Sequence, residues 1–340
     1  MMKAIGLYKY LPIEDEQSLV DVELNKPEPK GQDLLVAVHA ISVNPVDTKV
    51  RAPKNVVETA AKVLGWDAAG EVVAVGPDVK HFAVGDRVFY AGDITRPGSN
   101  SEFQLIDERI VGHAPKSLSD PESAALPLTS ITAWEGMFDR LGISKDGKDK
   151  GKSILIIGGA GGVGSIAIQL AKKVAGLRVI ATASRPESSE WVKQLGADLV
   201  INHRNPLDEE LTAVGEPLVD FIFCLNATDS HWKAMANAVA PQGHICSIVE
   251  TPKPVDLDLL KLKSATFAWE FMFTRSMFQT PDMIEQQHLL NEIATLIDSG
   301  EIKTTLNEVI RPINAANLRD AHAKIEHGSA IGKVVLADWS

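Results

Sequence analysis

The sequence predicts an α/β chain in which a doubly wound parallel-sheet domain is inserted into a β-rich domain. Three observations predict it. Short strands bounded by Gly and Pro dominate the first 126 residues. From about 127 to 269, apolar strands alternate with helical patterns. A turn with five glycines in seven positions, inside ILIIGGAGGVGSIAIQLAK (154–172), joins the first central strand to the first central helix. The predicted domains are 1–126 with 270–340, and 127–269.

The elements follow in order. LLVAVHAISV (34–43), GEVVAVG (70–76) and DRVFYAG (86–92) read as strands between turn residues. SILIIG (153–158) is a short apolar strand, and the helix after it puts Val163, Ile166, Ala167, Leu170, Ala171 and Val174 on one face. Gly176 stops it. RVIATAS (178–184), DLVIN (198–202), LVDFIFCLN (218–226) and GHICSIV (243–249) read as further strands. ESSEWVKQLGA (187–197) and HWKAMANAVAPQG (231–243) are the intervening helices. Strands alternating with helices imply a parallel sheet with right-handed crossovers. The polar stretch LGISKDGKDKGK (141–152) is a loop. A long helix over 281–300, the strand TTLNEVI, a helix from Asn314 and the strand GKVVLADW close the chain, and this tail returns to the first domain.

Composition bounds the function. A net charge of −11 argues against a nucleic-acid surface, which needs clustered Lys and Arg. The two cysteines, Cys224 and Cys246, sit in apolar runs and read as buried, reduced thiols. The first residues lack a signal-peptide core, and no stretch reaches the ~18 apolar residues of a membrane span. A cytoplasmic setting without membrane contact is the expectation.

Gly159-Ala160-Gly161-Gly162-Val163-Gly164 fits G-x-G-x-x-G in the context that gives the pattern meaning, after a strand and opening a helix. Gly159 permits the tight turn, Gly161 lets a diphosphate approach the backbone, and Gly164 lets the helix pack closely. The helix N-terminus supplies free N–H groups and partial positive charge. After the second strand, an acidic residue would receive the ribose hydroxyls of NAD. Here that end reads Thr182-Ala183-Ser184-Arg185, with no acid before Glu187. Ser184 and the planar fork of Arg185 suit a 2′-phosphate, so NADP(H) is preferred over NAD.

With these motifs in view, the chain resembles the medium-chain dehydrogenase/reductase family over nearly its whole length. The resemblance rests on GEVVAVGPDVKHFAVGDRVF (70–89), LPLTSITAWEGM (126–137), the glycine turn and GKVVL (332–336). The turn is closest to the zinc-free, quinone-oxidoreductase-like branch. The resemblance implies a GroES-like substrate domain, a Rossmann domain and a cleft between them for nicotinamide and substrate. It implies cofactor contacts at Thr129, Thr132, His203, Asn226, Phe273, Gly332 and Lys333 besides the glycine turn with Ala160, Gly162 and Val163. It implies a homodimer or tetramer through the sheet edge near 265–273.

Zinc-using members carry Cys in C-x-x-D and His in G-H-E. This chain has Asn44-Pro45-Val46-Asp47 and Gly65-Trp66-Asp67 instead. An amide and an indole do not replace a thiolate and an imidazole, so no metal is expected. By analogy, Asn44 lies beside the nicotinamide, where its amide reaches cofactor or substrate oxygen. The alternative is a turn asparagine before proline. Asp47 orients Asn44 or holds the loop. Trp66, Trp134, Phe271 and Phe273 are candidates for an apolar pocket or for core.

Without zinc to activate an alcohol, reduction is the natural direction. The expected reaction is hydride transfer from NADPH to a quinone or an activated (enone or enal) double bond. The alternatives are an NADPH-binding protein with little turnover and, less favoured, an alcohol dehydrogenase. No side chain announces itself as the proton donor.

Overall fold

The computed structural model describes residues 1–340 and divides into two compact units, Met1–Leu128 with Phe273–Ser340, and Thr129–Met272.

The first unit is β-rich. Its larger sheet is centred on Asp33–Ser42, which pairs antiparallel with Ala68–Val75, Phe103–Asp107 and Lys333–Ala337. Arg87–Tyr90 and Val111–His113 extend one side, and Leu306–Ile310 extends the other. The chain's end thus lies beside its beginning, with Val335 opposite Ser42 and Leu336 opposite Ile41. Strand Met2–Tyr10 centres a three-stranded sheet with Val20–Leu24 and Lys54–Val63. The sequence reading passes over those three strands. Lys54–Val63 is mostly exposed, so little apolar patterning marks it, whereas Val20–Leu24 does alternate strictly over its five residues.

The second unit is a six-stranded, all-parallel sheet. In space its order is Leu199–Ile201, Arg178–Thr182, Ser153–Ile157, Val219–Cys224, Val239–Ser247 and Thr266–Trp269. Numbered along the chain this is 3-2-1-4-5-6, the Rossmann arrangement. Central parallel strands are covered on both faces, hence the unbroken apolar run Ile154-Leu155-Ile156, none of it exposed. Helix Gly162–Lys173 buries Ile166, Ala167, Leu170 and Ala171. The helix expected over 231–243 runs instead from Thr228 to Ala238, and strand begins at Val239. Pro241 explains the early stop, since proline lacks an N–H and disfavours helix in the residue before it. Cys224 and Cys246 are free, buried thiols in adjacent strands, and burial pushes both up. No helix is long and apolar enough to cross a membrane.

Candidate active site

In the second unit the glycine turn is built by hydrogen bonds from its own backbone. Gly158 N–H donates to Thr182 Oγ1 at 2.9 Å, and Gly159 N–H to the Thr182 carbonyl at 3.2 Å. The left-handed residue is Gly158, with φ of 89°, one position before the motif. Gly159 is small because strand Arg178–Thr182 passes close: a Cβ there lies 2.9 Å from Ala181 Cβ. A Cβ on Gly164 falls 2.4 Å and 2.6 Å from the Gly158 and Gly159 carbonyl oxygens. A Cβ on Gly161 meets only the Gly158 oxygen, at 3.5 Å, so its missing side chain leaves open space over the turn. Gly161 is also the N-cap of helix Gly162–Lys173, whose first N–H groups lack intrahelical acceptors. Ala160, Gly162 and Val163 complete this cradle. A dinucleotide's diphosphate fits it.

The flanking loops carry positive charge. Thr182 and Ile201 are register partners, and Ala183 N–H donates to the Ile201 carbonyl at 3.0 Å. Ser184-Arg185 and His203-Arg204 therefore leave the sheet side by side at its carboxyl edge. Arg185 is the N-cap of helix Pro186–Gln194, its N–H bonded to Ser188 Oγ. Burial holds the His203 imidazole below its ordinary value, and the charges of Arg204 and Arg185 add to this. Its Nδ1 is buried with no partner. His231, on helix Thr228–Ala238, is also held down, by burial first and then by His203, against Asp229. Sequence reading missed His231 and Arg204. Asn226 is exposed just past strand Val219–Cys224, near the turn, with its Cβ 3.8 Å from where a Gly158 Cβ would stand. Thr129 and Thr132 are buried in helix Pro127–Trp134.

The first unit holds a closed polar cluster. Asn44 caps helix Pro45–Arg51, its N–H donating to Asp47 Oδ2 at 2.6 Å. Asn44 Nδ2 donates to Asp67 Oδ2 at 2.8 Å, and Leu128 N–H to Asp67 Oδ1 at 2.7 Å. The Lys333 ammonium donates to the Val43 carbonyl at 2.9 Å, to Asp67 Oδ2 at 3.0 Å and to Asn44 Oδ1. All four side chains are at most 3% exposed. Burial raises both carboxyls. Asp47 is pushed up to about 7 although it accepts the Asn44 N–H, and Asp67 is raised against the opposing Lys333 charge.

The structure adds to several sequence expectations. The Asn44 carboxamide is engaged at both ends inside the cluster, by Asp67 and by Lys333, and holds the loop. The Lys333 ammonium points into the same cluster, and Gly332 (φ 59°) shapes the entry to its strand. Phe273 is core, 2% exposed and edge-on to Trp66 with ring centres 6.1 Å apart. Trp66 is also core, and its indole N–H donates to the Asp93 carbonyl at 3.4 Å.

A zinc ion does not fit these residues. Asn44 and Asp67 are both engaged by an ammonium, and an indole N–H has no lone pair to give. No group of three His, Cys, Asp or Glu side chains in the structure is placed to hold a metal.

Residues 30–116 match the family model of the alcohol dehydrogenase GroES-like domain, and residues 195–336 that of the zinc-binding dehydrogenases. A zinc-type alcohol dehydrogenase-like protein of Staphylococcus aureus is 48% identical over 98% of this chain and 99% of its own. A solved structure from Rhizobium etli, named for zinc-dependent alcohol dehydrogenase, is 55% identical over 100% of this chain and 98% of its own, with a TM-score of 0.94. The quinone oxidoreductase of Coxiella burnetii is 26% identical over 99% of each chain, with a TM-score of 0.81. Fold, cradle and relatives agree: the chain belongs to the medium-chain dehydrogenase/reductase family, in its quinone-oxidoreductase-like branch, a family of oxidoreductases that work with nicotinamide cofactors.

Proposed function

We propose that this protein is an NADPH-dependent reductase of quinones or of activated carbon–carbon double bonds, working without zinc. The observation that carries the reading is the placing of the Arg185 and Arg204 guanidinium groups, with the neutral His203 ring, beside the glycine cradle, with no acid where a ribose hydroxyl would need one. The charge of a 2′-phosphate suits guanidinium groups at this place, whereas NADH offers two neutral hydroxyls.

When bound, the coenzyme supplies the hydride. The chain supplies the rest. The open space over Gly161 admits the diphosphate, and the helix N-terminus meets its charge. Ser184 and Arg185 hold the extra phosphate. A quinone or an enone suits a metal-free protein because conjugation carries the incoming negative charge onto oxygen. Hydrogen-bond donors stabilise it there without a Lewis acid.

The test is initial-rate kinetics with NADPH and NADH against quinone and enone panels after exhaustive chelation. Turnover with NADPH that survives chelation is expected. Preference for NADH, or activity lost to the chelator and restored by zinc, overturns the reading. Arg185→Ala is expected to weaken NADPH binding about 10- to 100-fold, the worth of a charged hydrogen bond, and to leave NADH binding unchanged. Calorimetric titration of both coenzymes checks it.

The same reading makes the protein a cytoplasmic homodimer paired through strand Thr266–Trp269. That strand ends the parallel sheet, and Trp269 and Phe271 beside it are 48% and 47% exposed. Analytical ultracentrifugation is expected to give twice the chain mass, reduced to the chain mass by Trp269→Lys.

A further inference from the structure

The second unit carries a buried acid pair that the coenzyme cradle does not use. Glu135 opens a short π-helical turn, Glu135–Arg140, which continues helix Pro127–Trp134. Such turns are rare and recur at functional sites. Glu270 follows the last strand of the parallel sheet, and its N–H donates to the Ser247 carbonyl at 2.9 Å, at the end of the neighbouring strand. Glu135 is 0% exposed and Glu270 2%. Their carboxyl groups are hydrogen-bonded to each other. Arg140 Nε donates to Glu270 Oε2 at 2.9 Å, and no N–H donor reaches Glu270 Oε1, which is buried. Carboxylates are acceptors only, so a bond between the two exists only when one of them is protonated. Strand Val239–Ser247 brings the Cys246 thiol to the pair, and burial first, then Glu270, push that thiol up and keep it neutral. Helix Pro127–Trp134 and strand Thr266–Trp269 carry no charged side chain.

We propose that Glu135 and Glu270 hold one proton between them, and that the proton-bound pair is a positioning device that fixes the carboxyl ends of the last two strands, in the half of the sheet that serves the nicotinamide. The positioning role rests on the coenzyme reading above; the shared proton does not. In a 3-2-1-4-5-6 sheet a dinucleotide lies along the carboxyl edge, with one mononucleotide on each half. The glycine cradle follows strand one and Arg185 follows strand two, which leaves strands four to six for the nicotinamide half. Glu270 ends strand six, and through Ser247 it holds the end of strand five. With one proton the charges balance, one carboxylate against the Arg140 guanidinium and one neutral carboxyl. Loss of the proton sets two negative charges against one cation in a dry site, where like charges repel strongly. The end of strand six is then released from the π-helical turn. Burial pushes Glu270 up to about 9, with the charge of Glu135 and the shared bond next, against Arg140. The ordinary value is 4.5. Between these values the fold holds a proton that the unfolded chain releases, so stability falls as pH rises through this window and levels off above it.

The experiment compares the full chain with Glu135→Gln and Glu270→Gln, each of which puts a permanent amide donor where the proton was. The first arm uses no coenzyme and reads infrared difference spectra. At pH 7 each variant is expected to lack one protonated-carboxyl band of the natural protein, and that band is expected to vanish from the natural protein between about pH 8 and pH 10. The melting temperature is expected to fall less from pH 6 to pH 9 in either variant than in the natural protein. Variants that keep the band overturn the shared proton. Should a variant fail to fold, Arg140→Met serves in its place. Removing the guanidinium is expected to carry the loss of the band to higher pH, and an unmoved titration overturns the shared proton. The second arm is NADPH titration over the same range. Above about pH 9 the natural protein is expected to lose affinity about tenfold per pH unit, and Glu135→Gln to keep it. Parallel loss in both overturns the positioning role. A chain that binds no NADPH at any pH overturns that role together with the coenzyme reading, and the infrared arm then still decides the proton.

Discussion

Gly164→Ala is expected to cost about 3 kcal/mol of stability and to abolish coenzyme binding, whereas Gly161→Ala is expected to abolish binding alone. The difference lies in what each added methyl meets. At Gly164 it overlaps the carbonyl oxygens of Gly158 and Gly159 at 2.4 Å and 2.6 Å, and backbone cannot rotate out of the way. The turn must open, which breaks the bonds that Gly158 and Gly159 make to Thr182. At Gly161 the methyl sits 3.5 Å from its nearest neighbour, an ordinary contact, and φ of −74° suits alanine. The fold then loses within about 1 kcal/mol, the cost of a poorer N-cap. The space the methyl fills is the space a diphosphate needs. Thermal unfolding and coenzyme titration on both variants separate the effects. Unimpaired NADPH binding by Gly161→Ala would remove the diphosphate from this turn.

Acid is expected to destabilise the first unit through His322, and His322→Leu to abolish that dependence. The imidazole is 0% exposed on helix Ala315–Glu326, and neither ring nitrogen has a partner. Burial, and then the charge of Arg51, push it down to about 3. Arg51 is itself fixed, donating to the Leu11 carbonyl at 2.6 Å and paired with Glu326. The unfolded histidine titrates near 6.5. Above that pH both states carry a neutral ring and the group is silent. Between about 6.5 and 3 the unfolded chain binds a proton that the fold refuses, so stability falls as pH falls, by up to about 1.4 kcal/mol per pH unit. From pH 7.5 to pH 5 the natural protein is expected to lose about 2 kcal/mol more than His322→Leu, or about 4–8 °C in Tm. At pH 7.5 the variant is expected to be at least as stable, because two unpartnered nitrogens give way to hydrocarbon. Parallel Tm-against-pH curves for the two proteins would contradict this.

The glycine cradle and its central strands were legible in the sequence because their determinants are local. A buried parallel strand must be apolar throughout, and a turn closing on a helix must lack side chains, whatever the rest of the chain does. That Ser184 and Arg185 leave the second central strand at its carboxyl end was legible for the same reason, being fixed by their distance from a recognisable strand. His231 was not, because nothing within its own helix distinguishes it from a surface histidine. Its nearness to His203 arises from how helix Thr228–Ala238 lies against the sheet.

By itself, then, the sequence determined the alternating strands and helices of the second unit, the glycine turn between the first of them and the loss of the thiolate and imidazole that zinc needs. Only the tertiary structure decided what gathers around Asn44. Lys333 meets Asn44 and Asp67 across 289 and 266 residues, because Val335 lies opposite Ser42 in the antiparallel pairing of the last strand with the third. That register is set by the packing of the whole sheet, and no local pattern around GKVVL records it.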